Sequence, residues 1–585
     1  MAITSAMYLL PFVRNPSLLP FGSDTKKYLA RAEIVKAEGI QGLDGDRSTI
    51  AERPAVPIFV ATITGLTRST PITYTWLTPA IFASLIALAA GALATEGLQE
   101  PRRRSLFYAV GVGCSAFVAW TAYGYAANLI VDPMIVALFL VAIRATTTGH
   151  GRFVGAVLLA GAVLAHWVFA SLAAALLAGL AILLALARLL HGSMRPREGA
   201  ARDVAVIVVG GLVGGAVAMG LAPSFPSRIS VRAPGSRGGT LHIEQRLPGM
   251  RLPITGPLAG LGFVLGLIGP RRERRWCLLL LALWALLVPI ALVGWYVFDL
   301  STTPYRFAGF ALAIPILVVT AAGSAGTFVR KRLHRVGVVV GGALLLAASL
   351  GLAAAGANVW WRAEPSLNPD EFSQLEILAA YLAPQSPDLQ VIVPIPPQMG
   401  LAMDRIRIGL PVELGSRVRT LPILLDPREP NGGIVVPERT AVVWLAAFEK
   451  REVPGVPLGP GVVLVNGPPP AGPITPSSPP RAPPVSTMLV LVLAAIGALA
   501  AAGSGWAQLM DISGIGRASL MPAFGLATLA PVGLVLSRSG IPFDGWGSAI
   551  IVLSTTAAGW VPVAFRRRRP PSLPPDERPA DPIVV

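Results

Sequence analysis

The sequence predicts an all-α polytopic membrane protein: about thirteen transmembrane helices, interfacial helices after the N-terminus, and a small extracytoplasmic α/β domain. Three observations predict it. Of the 585 residues, 53% are hydrophobic and only 14% charged, with a mean hydropathy of +0.64. A soluble chain of this length needs more polar residues to cover its domains. Long apolar runs follow one another almost end to end, and in hydrocarbon each must be helical to satisfy its backbone. Roughly every second gap between runs is rich in arginine, as in PRRRS at 101–105, PRRERR at 270–275, RKRLHR at 330–335 and RRRR at 566–569. Cytoplasmic loops retain Lys and Arg, so this rhythm orients the chain.

Residues 1–73 read as a partial first helix followed by an extracytoplasmic loop. Residues 1–13 are apolar but too short to cross straight, either the outer end of a helix that starts earlier or a surface-lying piece. Residues 24–38 (DTKKYLARAEIVKAE) have helical periodicity, with Tyr28, Leu29, Ile34 and Val35 on the apolar side, the pattern of a helix lying in the interface. Residues 54–66 form a second short apolar piece, read as juxtamembrane.

A transmembrane core occupies 74–359, with spans near 74–95, 106–121, 133–143, 153–165, 171–190, 204–221, 254–268, 276–297, 306–322 and 336–359. A tight outer turn at His166–Trp167 separates the fourth and fifth. Residues 360–466 are polar and proline-rich. There 369–382 reads as an amphipathic helix, and 389–394, 418–424, 433–436 and 441–445 as short strands of an outer α/β domain. Residues 467–487 read as a proline-rich linker. C-terminal spans within 488–564 and a disordered cytoplasmic tail at 565–585 complete the chain. Thirteen crossings that start outside finish inside, where the tetra-arginine belongs.

The net charge of +17 suggests nucleic acid, but the arginines cluster beside spans, where topology and anionic headgroups account for them; no nucleic-acid partner is expected. Cys114 and Cys277 both lie in apolar runs, so no disulfide is expected.

This topology collects a short set of polar residues at the outer face: Asp24, Asp132, His166, Arg306 beside Tyr305, and the 224–252 loop with His242, Arg246 and Arg251. Ionisable groups at the edge of hydrocarbon are costly and mark sites by default. Each also has a structural reading. Asp24 fits a helix N-cap, and Asp132 before a proline fits a capping position at a span start. His166 with Trp167 fits an interfacial anchor, and Arg306 fits a side chain reaching lipid phosphate.

The order of these features resembles the GT-C superfamily of polytopic glycosyltransferases, which includes protein O-mannosyltransferases and aminoarabinose transferases. It comprises a first-loop acid, an interfacial helix, a short apolar run at 57–66 (PIFVATITGL), a span, an inner basic loop, and a second outer loop ending in an acid. Residues 53–145 resemble the N-terminal module best, and 305–315 (YRFAGFALAIP) resembles bacterial members. The resemblance implies an enzyme that takes a sugar from a polyprenyl-phosphate carrier and passes it to an envelope glycan, lipid or protein acceptor, with inversion, at the outer face of the cell membrane. It implies Asp24 as the catalytic acid and Asp132 as the second acid, which in some relatives helps hold a metal and in others orients the acceptor. A divalent metal (Mg or Mn) is thus compatible, although neither acid sits in a D-x-D or E-x-D pair; Asp44 and Asp46 do, but the flanking Gly42 and Gly45 favour a plain turn.

The chemistry agrees. A positioned carboxylate activates a hydroxyl by taking its proton during attack, and inversion needs that base opposite the leaving group. The departing lipid phosphate suits arginine's planar fork. Arg306, then Arg246 or Arg251, are the candidates, with His166 and Tyr305 as substrate contacts. Two other readings stand beside this one. In an O-antigen-ligase or polymerase-like enzyme, the 224–252 loop carries the chemistry. In a transporter or flippase of envelope lipids, polar groups gather near the midplane.

Overall fold

A computed structural model of the chain describes residues 1–14, 25–44, 53–97, 101–122, 126–189, 197–223, 339–361, 367–395, 406, 410, 414, 417–421, 439–448, 452–472, 474, 481–510 and 512–567. The protein is mostly helical. Among the described residues, eight helices are long and apolar enough to cross a membrane, and five strands form a small mixed sheet. About thirteen spans were expected; those expected at 254–268, 276–297 and 306–322 lie outside the described residues.

The helices are α1 (Ala2–Arg14), α2 (Thr25–Glu38), α3 (Ala55–Thr67), α4 (Pro71–Ala92), α5 (Arg102–Gly113), α6 (Ala116–Ala122), α7 (Ala126–Thr148), α8 (Arg152–Leu189) and α9 (Ala200–Met219), then α10 (Val339–Trp361). After these come α11 (Pro369–Leu382), α12 (Val485–Gln508), α13 (Gly514–Arg538) and α14 (Gly545–Arg567).

The span expected at 106–121 is broken: α5 stops at Gly113, and Ser115 Oγ accepts from the Val118 N–H to start α6. The run VGVGCS holds the weak helix formers that permit the break. The 54–66 piece is also not juxtamembrane. Eleven of the thirteen residues of α3 are buried, and Phe59 meets Phe82 of α4 with ring centroids 5.1 Å apart. A helix apolar on every side lowers its free energy inside the bundle rather than beside it. Helix α2 buries Tyr28, Leu29 and Val35 against the protein, with Arg31 on the same buried face.

Helix α8 has 38 residues with non-helical backbone at His166 (φ −164°, ψ 88°). Two ion pairs show that it folds back there. Arg152 meets Asp203 at 3.0 Å, while Arg188 meets Glu198 at 2.8 Å. A straight helix would separate residues 152 and 188 by about 54 Å, yet Glu198 and Asp203 lie within one short stretch. The arms 152–165 and 167–189 therefore turn at His166, as the sequence predicts. The first arm runs parallel to α9, with Gly211 over Leu159 and Gly215 over Val163; a Cβ at either glycine would fall 2.6–2.7 Å from those side chains.

Ion pairs and caps sort the helix ends into two layers. One is arginine-rich. Glu96, in the π-helical turn that ends α4 (Leu93–Gly97), accepts from Arg144 Nη2 at 2.7 Å and from the Ser513 N–H at 3.1 Å. Asp203 accepts from Arg152 and Arg197. At the opposite end Arg538 grips Asp44 through two 2.6 Å bonds and donates from Nε to the Leu221 carbonyl at 3.0 Å. Ile40 N–H donates to Ser537 Oγ, and Lys36 Nζ to the Ser69 carbonyl.

The α/β unit follows α10 and precedes α12. Its strands are β1 (Gln390–Pro394), β2 (Val418–Leu421), β3 (Thr440–Leu445), β4 (Val456–Gly459) and β5 (Val462–Asn466), in the order β2-β1-β3-β5-β4. β1 is parallel to β2 and β3, and β5 antiparallel to β3 and β4. Helix α11 matches its expected bounds because Pro369 opens it and Asn368 and Glu371 form a capping box. Its Leu375, Leu378 and Leu382 share a core with Val391, Val393, Val443 and Leu445. The β4–β5 hairpin was not expected, and the strand expected at 433–436 lies outside the described residues. The linker expected from 467 begins by packing back on α11: Tyr381 OH donates to the Pro468 carbonyl and Gln385 Nε2 to that of Pro469.

Candidate functional site

The end of the bundle opposite the Glu96 and Asp203 ion pairs carries the candidate site. Asp132 does not close a loop, as the sequence suggested. Helix α7 begins six residues earlier at Ala126, so Asp132 lies in its second turn, 3% exposed. The apolar surroundings favour continuing the helix through Pro133, because a chain end there would strand backbone groups. Pro133 offers no N–H to the Leu129 carbonyl. Asn128, one turn earlier on the same face, is also buried. Among the described residues no side chain donates to the Asp132 carboxyl.

His166 sits at the fold-back of α8 and is fully buried, so it is not an interfacial anchor. Its Nδ1 accepts from the Phe169 N–H at 3.5 Å, capping the second arm, and its ring stacks edge-on against Phe169 at 4.6 Å. Asp132 lies sixteen residues from the end of α7 at Thr148, and His166 fourteen from the start of α8 at Arg152. At 1.5 Å per residue they stand about 24 Å and about 21 Å above the arginine-rich end. The fold thus puts both at one level.

Beside this level lies a small cleft of about 10 Å³, room for about one water. Phe12 of α1, Thr75, Trp76, Thr78 and Pro79 of α4, Ala122, Ala126 and Leu129 of α6 and α7, and Trp360 of α10 line it. Leu129 is one turn from Asp132. The cleft's α1–α10 wall is fixed by Trp360 Nε1 donating to the Tyr8 carbonyl at 3.1 Å, with the two rings 5.2 Å apart. Arg14 Nη1 reaches the Trp361 carbonyl at 3.0 Å. Sequence reasoning missed this cleft, because α1 and α10 lie some 350 positions apart and nothing local marks their pairing.

Asp24, Arg246, Arg251, Tyr305 and Arg306 lie outside the described residues, as do His242 and Asp46. Asp44 is held by Arg538, which lowers its carboxyl below the ordinary range chiefly through their hydrogen bonds. Among the described residues no three His, Cys, Asp or Glu side chains gather as a metal site.

These features define a multi-pass membrane protein with a buried acid beside an aromatic cleft at one end of its bundle. No protein-family model matches the chain, and no curated protein matches it in sequence.

Proposed function

We propose that the protein is an inverting glycosyltransferase of GT-C type, moving a sugar from a polyprenyl-phosphate donor to a cell-envelope acceptor. The arginine-rich end is then cytoplasmic and the cleft extracytoplasmic. One observation carries the reading. The buried acids Glu96 and Asp203 each hold helices together, whereas the buried Asp132 holds nothing among the described residues. A carboxyl kept in an apolar bundle without a structural partner is a functional group by default.

In the proposed reaction the acceptor hydroxyl oxygen attacks the anomeric carbon, and its proton passes to the Asp24 carboxylate while Asp132 orients the acceptor. The bond from the anomeric carbon to the phosphate oxygen breaks, and its electron pair leaves on the lipid phosphate. Arg306, with Arg246 or Arg251, meets that charge, and Tyr305 contacts the substrate, while His166 shapes the site from the buried turn of α8. The test is sugar transfer by purified protein in liposomes loaded with a polyprenyl-phosphate sugar. Asp24→Asn and Asp132→Asn should each insert normally and lose transfer. Full turnover in both variants would overturn the reading, and loss confined to His242→Ala or Arg246→Ala would point to a ligase. The half-length α3 enclosed among longer helices favours a transporter as second reading, since interrupted helices line solute paths. Vesicle uptake of a labelled solute, insensitive to Asp24→Asn, would support it.

A further inference from the structure

Among the described residues, arginines packed against the protein find partners, and Arg53 departs from this. Arg144, Arg152, Arg197 and Arg538 each meet a carboxylate, and Arg417 donates to the carbonyls of Leu382, Ser386 and Leu389. Arg53 is 8% exposed, its Nε has no hydrogen-bond partner, and no described carboxylate pairs with it. Arginine keeps its proton at any ordinary pH. A buried cation without a counter-charge is strongly unfavourable.

Arg53 immediately precedes Pro54, the N-cap of α3, and that end of the helix lies deep. Phe59 packs on Phe82 of α4, and Thr67 leads through residues 68–70 into Pro71, so α3 and α4 form an antiparallel pair. The far end of α3 lies at the rim where Lys36 Nζ reaches the Ser69 carbonyl. At 1.5 Å per residue, Ala55 then stands about 18 Å below that rim. Ala55 and Val56 are buried with Arg53. The first bond of the helix runs from the Ile58 N–H to the Pro54 carbonyl. The N–H groups of Ala55 and Val56 therefore have no intrahelical acceptor, and Pro57 has none to offer. No side chain caps this end, and no acid lies in its first turn. A helix N-terminus is already positive, so an arginine beside it adds like to like. Buried N–H groups and a guanidinium at one place are the recognition elements of an anion.

We propose that the buried start of α3 is a site for a small inorganic anion of chloride size, held by the Arg53 guanidinium and the Ala55 and Val56 N–H groups. The exposed remainder of Arg53 is surface that a water-sized sphere touches, which suits an ion little larger than water. The ion neutralises a cation that the fold leaves uncompensated, and it fastens α3 inside the bundle. This site is separate from the proposed sugar transfer and stands or falls apart from it.

Thermal unfolding of the full-length protein in phosphatidylcholine nanodiscs tests it, with chloride titrated against the bulky anion gluconate at constant ionic strength. Chloride should raise the melting temperature saturably, by about 2 °C or more. Arg53→Gln should abolish that rise. In gluconate it should melt no lower than the unsubstituted protein, because it removes the uncompensated cation. Arg53→Lys keeps the charge without the planar fork and should retain part of the rise. An equal melting temperature in chloride and gluconate, a full rise in Arg53→Gln, or a lower melting temperature of Arg53→Gln in gluconate would each overturn the proposal. So would a rise given by inorganic phosphate and not by chloride. Destabilisation by Asp132→Asn that a second substitution, Arg53→Gln, relieves would make Asp132 the counter-ion and overturn it as well.

Discussion

The two ends of the bundle use buried acids in opposite ways. At the arginine-rich end Glu96 ties α4 to α7 and to the start of α13, and Asp203 ties α9 to the start of α8. Both are shielded, and both accept charge-assisted bonds that satisfy the carboxylate. At the other end Asp132 is shielded as well, yet none of the described side chains answers it. The same side-chain chemistry is thus a clasp where arginines surround it, and at Asp132 a buried carboxyl that no described side chain pairs. Burial alone does not separate the roles; partners do.

The sharpest way to break this comparison is Asp132→Asn. If the acid orients the acceptor, sugar transfer should fall about 10²-fold, the scale of a misplaced reactant, while thermal stability stays within about 1 kcal/mol. A large drop in melting temperature with transfer intact would make Asp132 a clasp like the others.

Removing a clasp should do the converse. Glu96→Ala leaves Arg144 and the Ser513 N–H without their acceptor, and breaking a buried pair costs roughly 3–5 kcal/mol. Asp203→Ala should cost a similar amount. Detergent-resolved unfolding measures both, and the transfer rate per folded molecule should change little. His166 sharpens the comparison, since it sits level with Asp132 but caps a helix. His166→Ala should cost about 1 kcal/mol and His166→Asn much less, because Asn replaces the cap acceptor. If both variants lose transfer equally at full stability, the imidazole acts on substrate as well.

How much of this was legible in the sequence follows from how local each signal is. The bounds of α11 are written in NPDE, where a cap, a proline and an acid stand in consecutive order, and β1 and β3 are runs of β-branched residues. The fold-back at His166 showed as a polar residue between two apolar runs. By contrast α3 has the length of a surface piece, and only its neighbours reveal that every side is covered. VDP in α7 reads as a helix boundary because the residue before proline avoids the helical region; the apolar environment overrides that preference. The β4–β5 hairpin hides in GVPLGPGVVLV, where glycine and proline suggest loop, and Gly461 at φ +72° makes the turn. Partners such as Glu96 and Arg144, or Tyr8 and Trp360, meet only after folding.

The smallest expected effect belongs to Asp44, which belongs to the cleft's end of the bundle yet behaves like the clasps of the other. It is half-exposed, so its two bonds to Arg538 contribute at most about 1 kcal/mol after screening. The arginine depresses its folded-state pKa below the unfolded value of about 3.9. The stabilisation is therefore whole above about pH 4 and lost as pH falls through the folded-state pKa. Asp44→Asn should lower the melting temperature slightly at pH 7, and the gap should narrow as pH falls below about 4 and through the folded-state pKa. Melting curves over that range decide it. A gap that stays constant with pH would mean that Asp44 acts through its shape and not its charge, and that the ionic clasp is confined to the arginine-rich end.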